Sequence, residues 1–439
     1  MITILSAHGD RQAELQMTDS LILAGASVRS LAESAVACGL NPYCVDMFAD
    51  ADLSALLKEN GHPAPIRIDL FSEIPAAIEH LTPEIPLIWT GGLENHPHTL
   101  RQIEIQRPVF GTTSESLQAL RSPEKLRSLV IGTGCRLPEM LIHPQDRSSL
   151  PARTKWLIKP VSGSGGLGIR TLESGTDVRT GEFCQQYIPG IPVSALYHRG
   201  QRVTRMLGAC VQVTGDPALG GDGFRFCGTV GPVPLPESVS SVMTAVGRRI
   251  GSTEIRGIFG VDYIVGDDGI WLIEVNPRIT ASHEPYDNAL AESAILKLQL
   301  ASWSDDRQFD SAPSMQLDHD RVLARLIIYL KQDETLGEAD VSRLLTFRRS
   351  PQYRRDSDCW IADIPTAGVV AAGQPFCSVY HSLRKNDFGW TVEAEVSEVT
   401  YLDSVLAGFA GLQGLDTATT AIRHRSLFEN ALLSDTGGR

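Results

Sequence analysis

The sequence predicts a mixed protein, part α/β and part α+β, built from several domains, and three observations carry that expectation. The chain opens with a strand, helix, strand unit; its middle third is dominated by period-2 alternation and glycine-rich turns; and 439 residues exceed what one hydrophobic core accommodates.

The segment LILAGAS (21–27) is a short apolar strand broken at Gly25. SVRSLAESAVACG has helical spacing and stops at Gly39, and PYCVDMF returns as a strand ending at Asp46. Such a unit implies parallel pairing through a right-handed crossover. IPLIWTGG and RPVFGT read as further strands, so residues 1–117 are expected to form an N-terminal parallel α/β domain. GASVR reads either as an anion-binding turn at a helix N-terminus or as a plain chain reversal. Asp46 follows no G-x-G-x-x-G, so a dinucleotide site is not adopted.

After a helix carrying Lys125, the chain gives the strand KWLIKPV, the glycine loop SGSGGLG, then IRTLES, EFCQQYI and PVSALYH. Alternation with turn residues of this kind predicts antiparallel or mixed sheet. SSVMTAVGRRIG (240–251) is an amphipathic helix, and GIFGVDYIVGDDGIWLIEVNPR is a hairpin turned by GDDG. Beyond about residue 305, RVLARLIIYL reads as a strand or a helix. WIADIPTAGVVAAGQPFCSVY, punctuated by Pro365, Gly368, Gly373 and Pro375, reads as compact hairpins. The expected division is 1–117, 118–304, a β-rich module at 305–425, and a loose polar tail at 426–439.

The 42% hydrophobic residues, 21% charged residues and mean hydropathy of −0.05 are those of a globular protein with sizeable cores. A net charge of −13 argues against a nonspecific nucleic-acid partner, which needs clustered Lys and Arg, and favours small molecules. An anionic ligand would need a local cation or a metal against that background. The eight cysteines show no C-x-x-C spacing and sit in apolar contexts, which reads as buried thiols of a reducing cytosol. The first residues lack a signal-peptide pattern and no run approaches ~18 apolar residues, so a cytoplasmic protein without a membrane partner is expected.

The chemistry concentrates in two stretches. In WLIEVNPRIT, alternate residues of an extended run share a face, so Glu274, Asn276 and Arg278 converge. Asp262 lies on the other arm of the same hairpin. Two carboxylates with an amide oxygen suit Mg²⁺, which prefers hard oxygen ligands and bridges phosphates. Arg278 is placed to hold an anion in a bidentate contact, unless the face is merely solvated. In KPVSGSGGLG, Gly163, Gly165, Gly166 and Gly168 let backbone approach a polyphosphate, with Ser162 and Ser164 adding hydroxyls. No G-K-[ST] ends the loop, so it is a lid-like hairpin rather than a Walker loop, or else a flexible surface loop.

Lys159 with its glycine loop, QQYIPG at 185–190, GVDY and EVNPR, in that order, resemble the ATP-grasp superfamily over roughly residues 118–300. The resemblance implies two α+β subdomains that hold ATP between them, with the preceding α/β domain contributing to the substrate site. It implies that Lys125 and Lys159 contact phosphate and adenine N7, and that Gln185, Gln186, Tyr187 and Ile188 form the adenine hinge. Asp262, Glu274 and Asn276 would bind Mg²⁺, usually two ions, with Mn²⁺ as a substitute. Lys159 and Arg278 would be the catalytic cations, Arg278 steadying an acyl phosphate. Many members carry a ribose-binding glutamate shortly after the hinge glycine; Pro192 stands there, and Ser194 is the nearby polar substitute. The late segment resembles the small β-rich C-terminal modules of biotin-carboxylase-like relatives.

The flanking stretches GASVRSLAESA, VDMFADADL and ITASHE resemble a branch of carboligases that accompany one-carbon cofactor genes of the pterin or methanofuran type. The implied reaction is ATP-dependent carboxylate–amine ligation, with small-molecule acid and amine substrates and a homodimer as the common assembly. A phosphotransferase or carboxylase would use the same ATP site, and a non-catalytic nucleotide-binding protein would keep the hinge alone. His283 and Glu284 are candidates for positioning the acceptor or taking its proton, or form a satisfied surface pair. Glu94, His96 and His98 in GGLENHPH are placed to reach the site from the first domain, or form an exposed strand-end loop.

Overall fold

The computed structural model describes residues 19–120, 122–141, 154–173, 176–289, 294–303, 321–348, 359–386, 389–392, 405–409, 412 and 416–428. The expected domain boundary near residue 305 and the segment beyond Phe428 lie outside them.

The chain begins with β1 (Ser20–Gly25), α1 (Arg29–Ala37), β2 (Asn41–Asp46), α2 (Ala51–Glu59) and β3 (Ile66–Arg67). It continues through α3 (Ile74–Ala77), β4 (Leu87–Trp89) and α4 (Pro97–Gln106). The strands form a parallel sheet of order β3-β2-β1-β4. Period-2 alternation explains how β1 serves two cores: Leu21 and Leu23 pack with Leu31, Ala32 and Ala35 of α1, while Ile22 and Ala24 face Leu100 and Ile103 of α4. RPVFGT contributes a single parallel bridge, Leu87 to Val109, rather than a strand of its own. Prolines and glycines at 108 and 111 limit its length.

Helices α5 (Ser114–Leu120) and α6 (Pro123–Val130) follow. Ser122 caps α6, its Oγ accepting the Lys125 N–H at 3.3 Å, and Pro123 sits in the first turn where its missing donor is harmless. A small antiparallel sheet of order β5-β8-β6-β7 comes next: β5 (Met140–Leu141), β6 (Trp156–Pro160), β7 (Arg170–Thr171) and β8 (Glu182–Gln186).

The largest element is a nine-stranded antiparallel sheet, in which β13-β12-β9-β10-β11-β14-β18-β16 lie in that order and β19 pairs with β18. It comprises β9 (Ile191–Arg199), β10 (Thr204–Thr214), β11 (Phe226–Val233), β12 (Gly257–Gly266), β13 (Gly269–Asn276), β14 (Arg321–Tyr329), β16 (Cys359–Ala362), β18 (Pro375–Asn386) and β19 (Gly389–Val392). RVLARLIIYL is therefore a strand. Helix α7 (Glu237–Gly251) covers one face, burying Met243, Val246 and Ile250 in a core with Val193, Ala195 and Phe259. Helices α8 (Glu284–Ala289) and α9 (Ala294–Ala301) join this sheet to the N-terminal domain, since Ile295 and Leu296 share a core with α1 and β1.

The strands beyond residue 320 extend this same sheet edge. Among the described residues beyond 320, only the pair β15 (Glu334–Leu336) and β17 (Gly368–Val370) stands apart, beside α10 (Glu338–Leu345). Helix α11 (Thr417–Phe428) runs past the point where the sequence suggested a loose tail, because Thr417, Ala421 and Arg425 are fully buried. All eight cysteines are free thiols. Among the described residues no helix is long and apolar enough to cross a membrane.

Candidate active site

The hairpin β12–β13 brings the acidic residues together by way of an irregularity. From its turn outward Gly266 faces Gly269, Ile264 faces Trp271 and Tyr263 faces Leu272, but Asp262 then faces Glu274. Ile273 is thus a one-residue bulge. Without it Asp262 would oppose Ile273, and Glu274 would point to the other face of the sheet. The bulge places both carboxylates on one face, with Asn276 opposite Gly260.

Asp262 is tied into the sheet. Gln212 Nε2 donates to its Oδ1 at 3.0 Å and Asn276 Nδ2 to its Oδ2 at 2.9 Å, and Ser194 stands opposite on β9. Burial, and then the Glu274 carboxylate beside it, push the Asp262 carboxyl up to about 6. Two carboxylates facing each other under partial burial fit a hard divalent cation, which would remove that repulsion. Asp262 and Glu274 would hold it. Asn276 turns its amide nitrogen to Asp262 and its oxygen to Arg278 Nη2, 3.5 Å away.

Arg278 is held from the other domain. Its Nη2 donates to Glu94 Oε1 at 2.5 Å, and the side chains are 12% and 4% exposed. Burial alone would lower its pKa, but Glu94, with Glu274 and Asp262 behind it, holds the guanidinium above the ordinary arginine value. Lys159 reaches the same region from β6, its Nζ donating to Gln185 Oε1 at 3.1 Å. Burial lowers the Lys159 pKa, opposed by Glu274 and Asp262.

Two cavities of about 330 Å³ each meet at Glu274 and the loop Gly163–Gly166. One is lined by apolar groups of both sheets and of α6, including Leu126, Met140, Phe183 and Ile273, with Lys159, Ser164, Gln185 and Glu274 as its polar members. The other is polar, lined by Asp262, Asn276, Arg278, Gln212 and Ser194 together with Ser27, Ser30 and Thr90 of the N-terminal domain. Each is at the small end of ligand pockets, and sharing a wall makes them one elongated cleft.

The lid is closed. Gly165 O accepts the Phe226 N–H at 2.9 Å, and Asn95 Nδ2 donates to Gly163 O at 3.3 Å. Gly166 has φ +75°, and a Cβ there would lie 1.9 Å from Phe224 O, so only glycine fits. The segment 214–228, which composition alone marks as mobile, is pinned. Gly215 N–H donates to Arg225 O at 2.7 Å, and Asp216 accepts from Arg423 and, at 2.9 Å, pairs with His424 of α11.

The N-terminal domain presents the crevice between β1 and β4, where its strand order reverses, to the polar cavity. Thr90 Oγ1 donates to Ser27 O at 3.0 Å, and Val28 N–H to Asp46 Oδ2 at 2.6 Å. Asp46 thus organises this loop instead of meeting a ribose. Glu94 is buried, while His96 packs its ring against Phe71 at 4.9 Å.

Other expected site residues lie further out. Lys125 and Gly168 are not in the wall of either cavity, nor is Ser162. Of the hinge stretch only Gln185 lines the apolar cavity. Gln186 exchanges contacts with Glu139, Tyr187 N–H donates to Lys155 O at 2.8 Å, and Ile188 is buried. Ser194 lines the polar cavity opposite Asp262, and Pro192 pairs with Ile264. Gln212 and Phe224 belong to no motif. Gln212 was visible only as a polar residue between Val211 and Val213 in an apolar strand.

Glu284 is no surface group. Arg29 Nη2 meets its Oε1 at 2.6 Å, Arg325 Nε lies 3.1 Å from its Oε2, and Tyr380 donates to it. Asp363 binds the same arginines, Arg29 Nε at 2.8 Å and Arg325 Nη2 at 2.9 Å. This buried network joins α1, α8 and the C-terminal strands, and no motif announced it.

Residues 132–282 match the family model described as the ATP-grasp domain. An uncharacterized protein of Methanocaldococcus jannaschii is 23% identical over 149 residues, 32% of this chain; the match spans about a third, 35%, of that relative. The L-amino acid ligase from Bacillus licheniformis superposes with a TM-score of 0.59 at 15% identity, covering 89% of this chain and 97% of the other. The ADP complex of an N5-carboxyaminoimidazole ribonucleotide synthetase gives 0.59 at 16% identity, covering 86% and 93%. The biotin carboxylase domain of Hydrogenobacter thermophilus 2-oxoglutarate carboxylase, with MgADP and bicarbonate, gives 0.58 at 12%, covering 90% of each. At these identities the solved structures show a shared fold. Residues 132–282, which span the lid, the acidic hairpin and Arg278, thus match the ATP-grasp domain, and the chain shares the fold of these solved structures.

Proposed function

We propose that the protein is an ATP-dependent carboxylate–amine ligase that activates its acid as an acyl phosphate. One observation carries the reading: the apolar and polar cavities share Glu274 and Gly163–Gly166 as a common wall. A nucleotide laid across that wall has its base among Leu126, Met140 and Phe183 and its terminal phosphate beside Arg278, facing the N-terminal crevice. Mg²⁺ held by Asp262 and Glu274 would neutralise phosphate charge.

The residues of the chain do the rest by position and charge. Backbone amides of the lid receive the phosphates and exclude water, Lys159 adds a half-buried cation, and Arg278 steadies the oxygen atoms of the transferred group. The carboxylate attacks the terminal phosphorus and releases ADP; an amine then attacks the acyl carbon and releases phosphate. The acid lies against Ser27, Ser30 and Thr90. The free cysteines support a reducing cytosol as the place of reaction, and a homodimer belongs to the same reading.

A phosphate-release screen tests it, over amino acids, bicarbonate, and pterin and furan carboxylates, the last chosen for the likeness to one-carbon carboligases, each with and without amines. Amide, ADP and phosphate in equal amounts support the proposal. A phosphorylated alcohol, a carboxylated amine in the bicarbonate arm, or nucleotide binding without turnover across the panel would replace it by a phosphotransferase, a carboxylase or a nucleotide-binding protein.

A further inference from the structure

We propose that His283 receives the amine substrate: its Nε2 accepts an N–H of the nucleophile and takes that proton as the C–N bond forms. The inference rests on the ligase reading above. His283 ends the short turn Ala281–His283 directly after the metal-binding hairpin, and is 4% exposed. Its Nδ1 lies 2.8 Å from Thr280 O. A carbonyl oxygen only accepts, so Nδ1 carries the hydrogen and the neutral ring keeps its lone pair on Nε2. That atom is buried and has no hydrogen-bond partner among the described residues, and His283 is one of the residues that line the polar cavity.

Buried acceptors are rarely left unmatched, and an unpartnered one on a residue of the cavity wall points to a ligand donor. The ring is held in place. Ser282 Oγ sits 2.8 Å from Thr280 Oγ1 and 3.3 Å from Ser194 Oγ, which fixes the turn against β9. The adjacent carboxylate offers no alternative base, since Glu284 is committed to Arg29, Arg325 and Tyr380.

The step balances with this one residue. The nitrogen lone pair forms the bond to the acyl carbon, the bond from that carbon to the phosphate oxygen breaks with its electrons leaving on phosphate, and the N–H proton passes to Nε2 and then to solvent. The ligand class is accordingly a primary or secondary amine. A tertiary amine has no proton to give.

Ring-¹⁵N-histidine NMR on the full chain tests the assignment, the signal lost in His283→Gln identifying the residue. The expected signal is the Nδ1-protonated tautomer, shifted in MgADP-loaded protein by hydroxylamine or glycinamide. In turnover, His283→Ala lowers amide formation about a hundredfold, and added imidazole restores part of it. His283→Gln, closer in volume, serves if the alanine variant does not fold. An Nε2-protonated ring, a signal that neither amine moves, undiminished amide formation, or a folded variant that imidazole leaves inactive overturns the proposal. A wild-type chain that binds no MgADP overturns the ligase reading and this inference with it.

Discussion

Arg278, at the end of the acidic hairpin, and Glu94, in the loop after β4, form a 2.5 Å ion pair across the cleft between the N-terminal domain and the large sheet. Glu94 is buried and Arg278 largely so, and removing either partner leaves an uncompensated charge. Arg278→Met is expected to lower unfolding free energy by on the order of 3 kcal/mol, read from urea denaturation, and ATP turnover by at least about a hundredfold. Glu94→Gln should reproduce most of the stability loss, since it strands the guanidinium. Unchanged stability in both variants would mean the pair is solvated in solution.

The facing carboxylates predict a separation of fold from metal binding. Asp262→Ala or Glu274→Ala should abolish ATP turnover, and Glu274→Gln should lose Mn²⁺ binding followed by electron paramagnetic resonance. The exposed Glu274 variant should keep its circular dichroism and melting temperature, because no described contact depends on that carboxylate for packing. Retained Mn²⁺ binding would dismiss Glu274 as a ligand.

The lid makes a graded prediction from two neighbouring glycines. Gly166→Ala sets a Cβ against Phe224 O, while at Gly165, φ +60°, nothing lies within 4 Å. Gly166→Ala should weaken binding of a non-hydrolysable ATP analogue by about tenfold or more, since the lid no longer seats. Gly165→Ala should bear only the backbone cost of about 1 kcal/mol. Calorimetric titration of both variants decides, and equal effects would place the closed lid in doubt.

The network around Asp363 predicts an acid limb of stability. Burial would raise its pKa, but Arg29 and then Arg325, with a hydrogen bond from Ser378, hold it well below the carboxylate range, and Glu284 is lowered by the same arginines. A depressed folded pKa contributes stability fully present above the unfolded value, about 4, and lost as pH falls through and below it. Unfolding free energy should therefore drop below pH ~4. Asp363→Asn should be several kcal/mol less stable at neutral pH, on the order of 3, with a flatter acid limb. An acid limb of unchanged slope in Asp363→Asn would show that other carboxylates carry it.

Much of the architecture was written in local pattern. Alternation in LILAG, the helical spacing of SVRSLAESA and the GDDG turn each specify their element within a dozen residues, and the order of lid, Asp262 and EVNPR was enough to suggest the family. Contacts between segments far apart in sequence were not legible. Nothing local ties Arg29 to Glu284 and Asp363, or Glu94 to Arg278, because each pair is decided by how separate layers dock. The same holds for α11, whose Arg425 is buried although it stands directly before the stretch that reads in isolation as a polar tail.

The carboxylate pair marks the division most clearly. The sequence by itself determined that Asp262 and Glu274 lie on two arms of one hairpin, since turn chemistry and period-2 patterning are properties of neighbouring residues. Only the tertiary structure decided that they face each other. A strand shows opposite faces at successive residues, so the one-residue bulge at Ile273 turns Glu274 from the wrong side of the sheet to the side of Asp262.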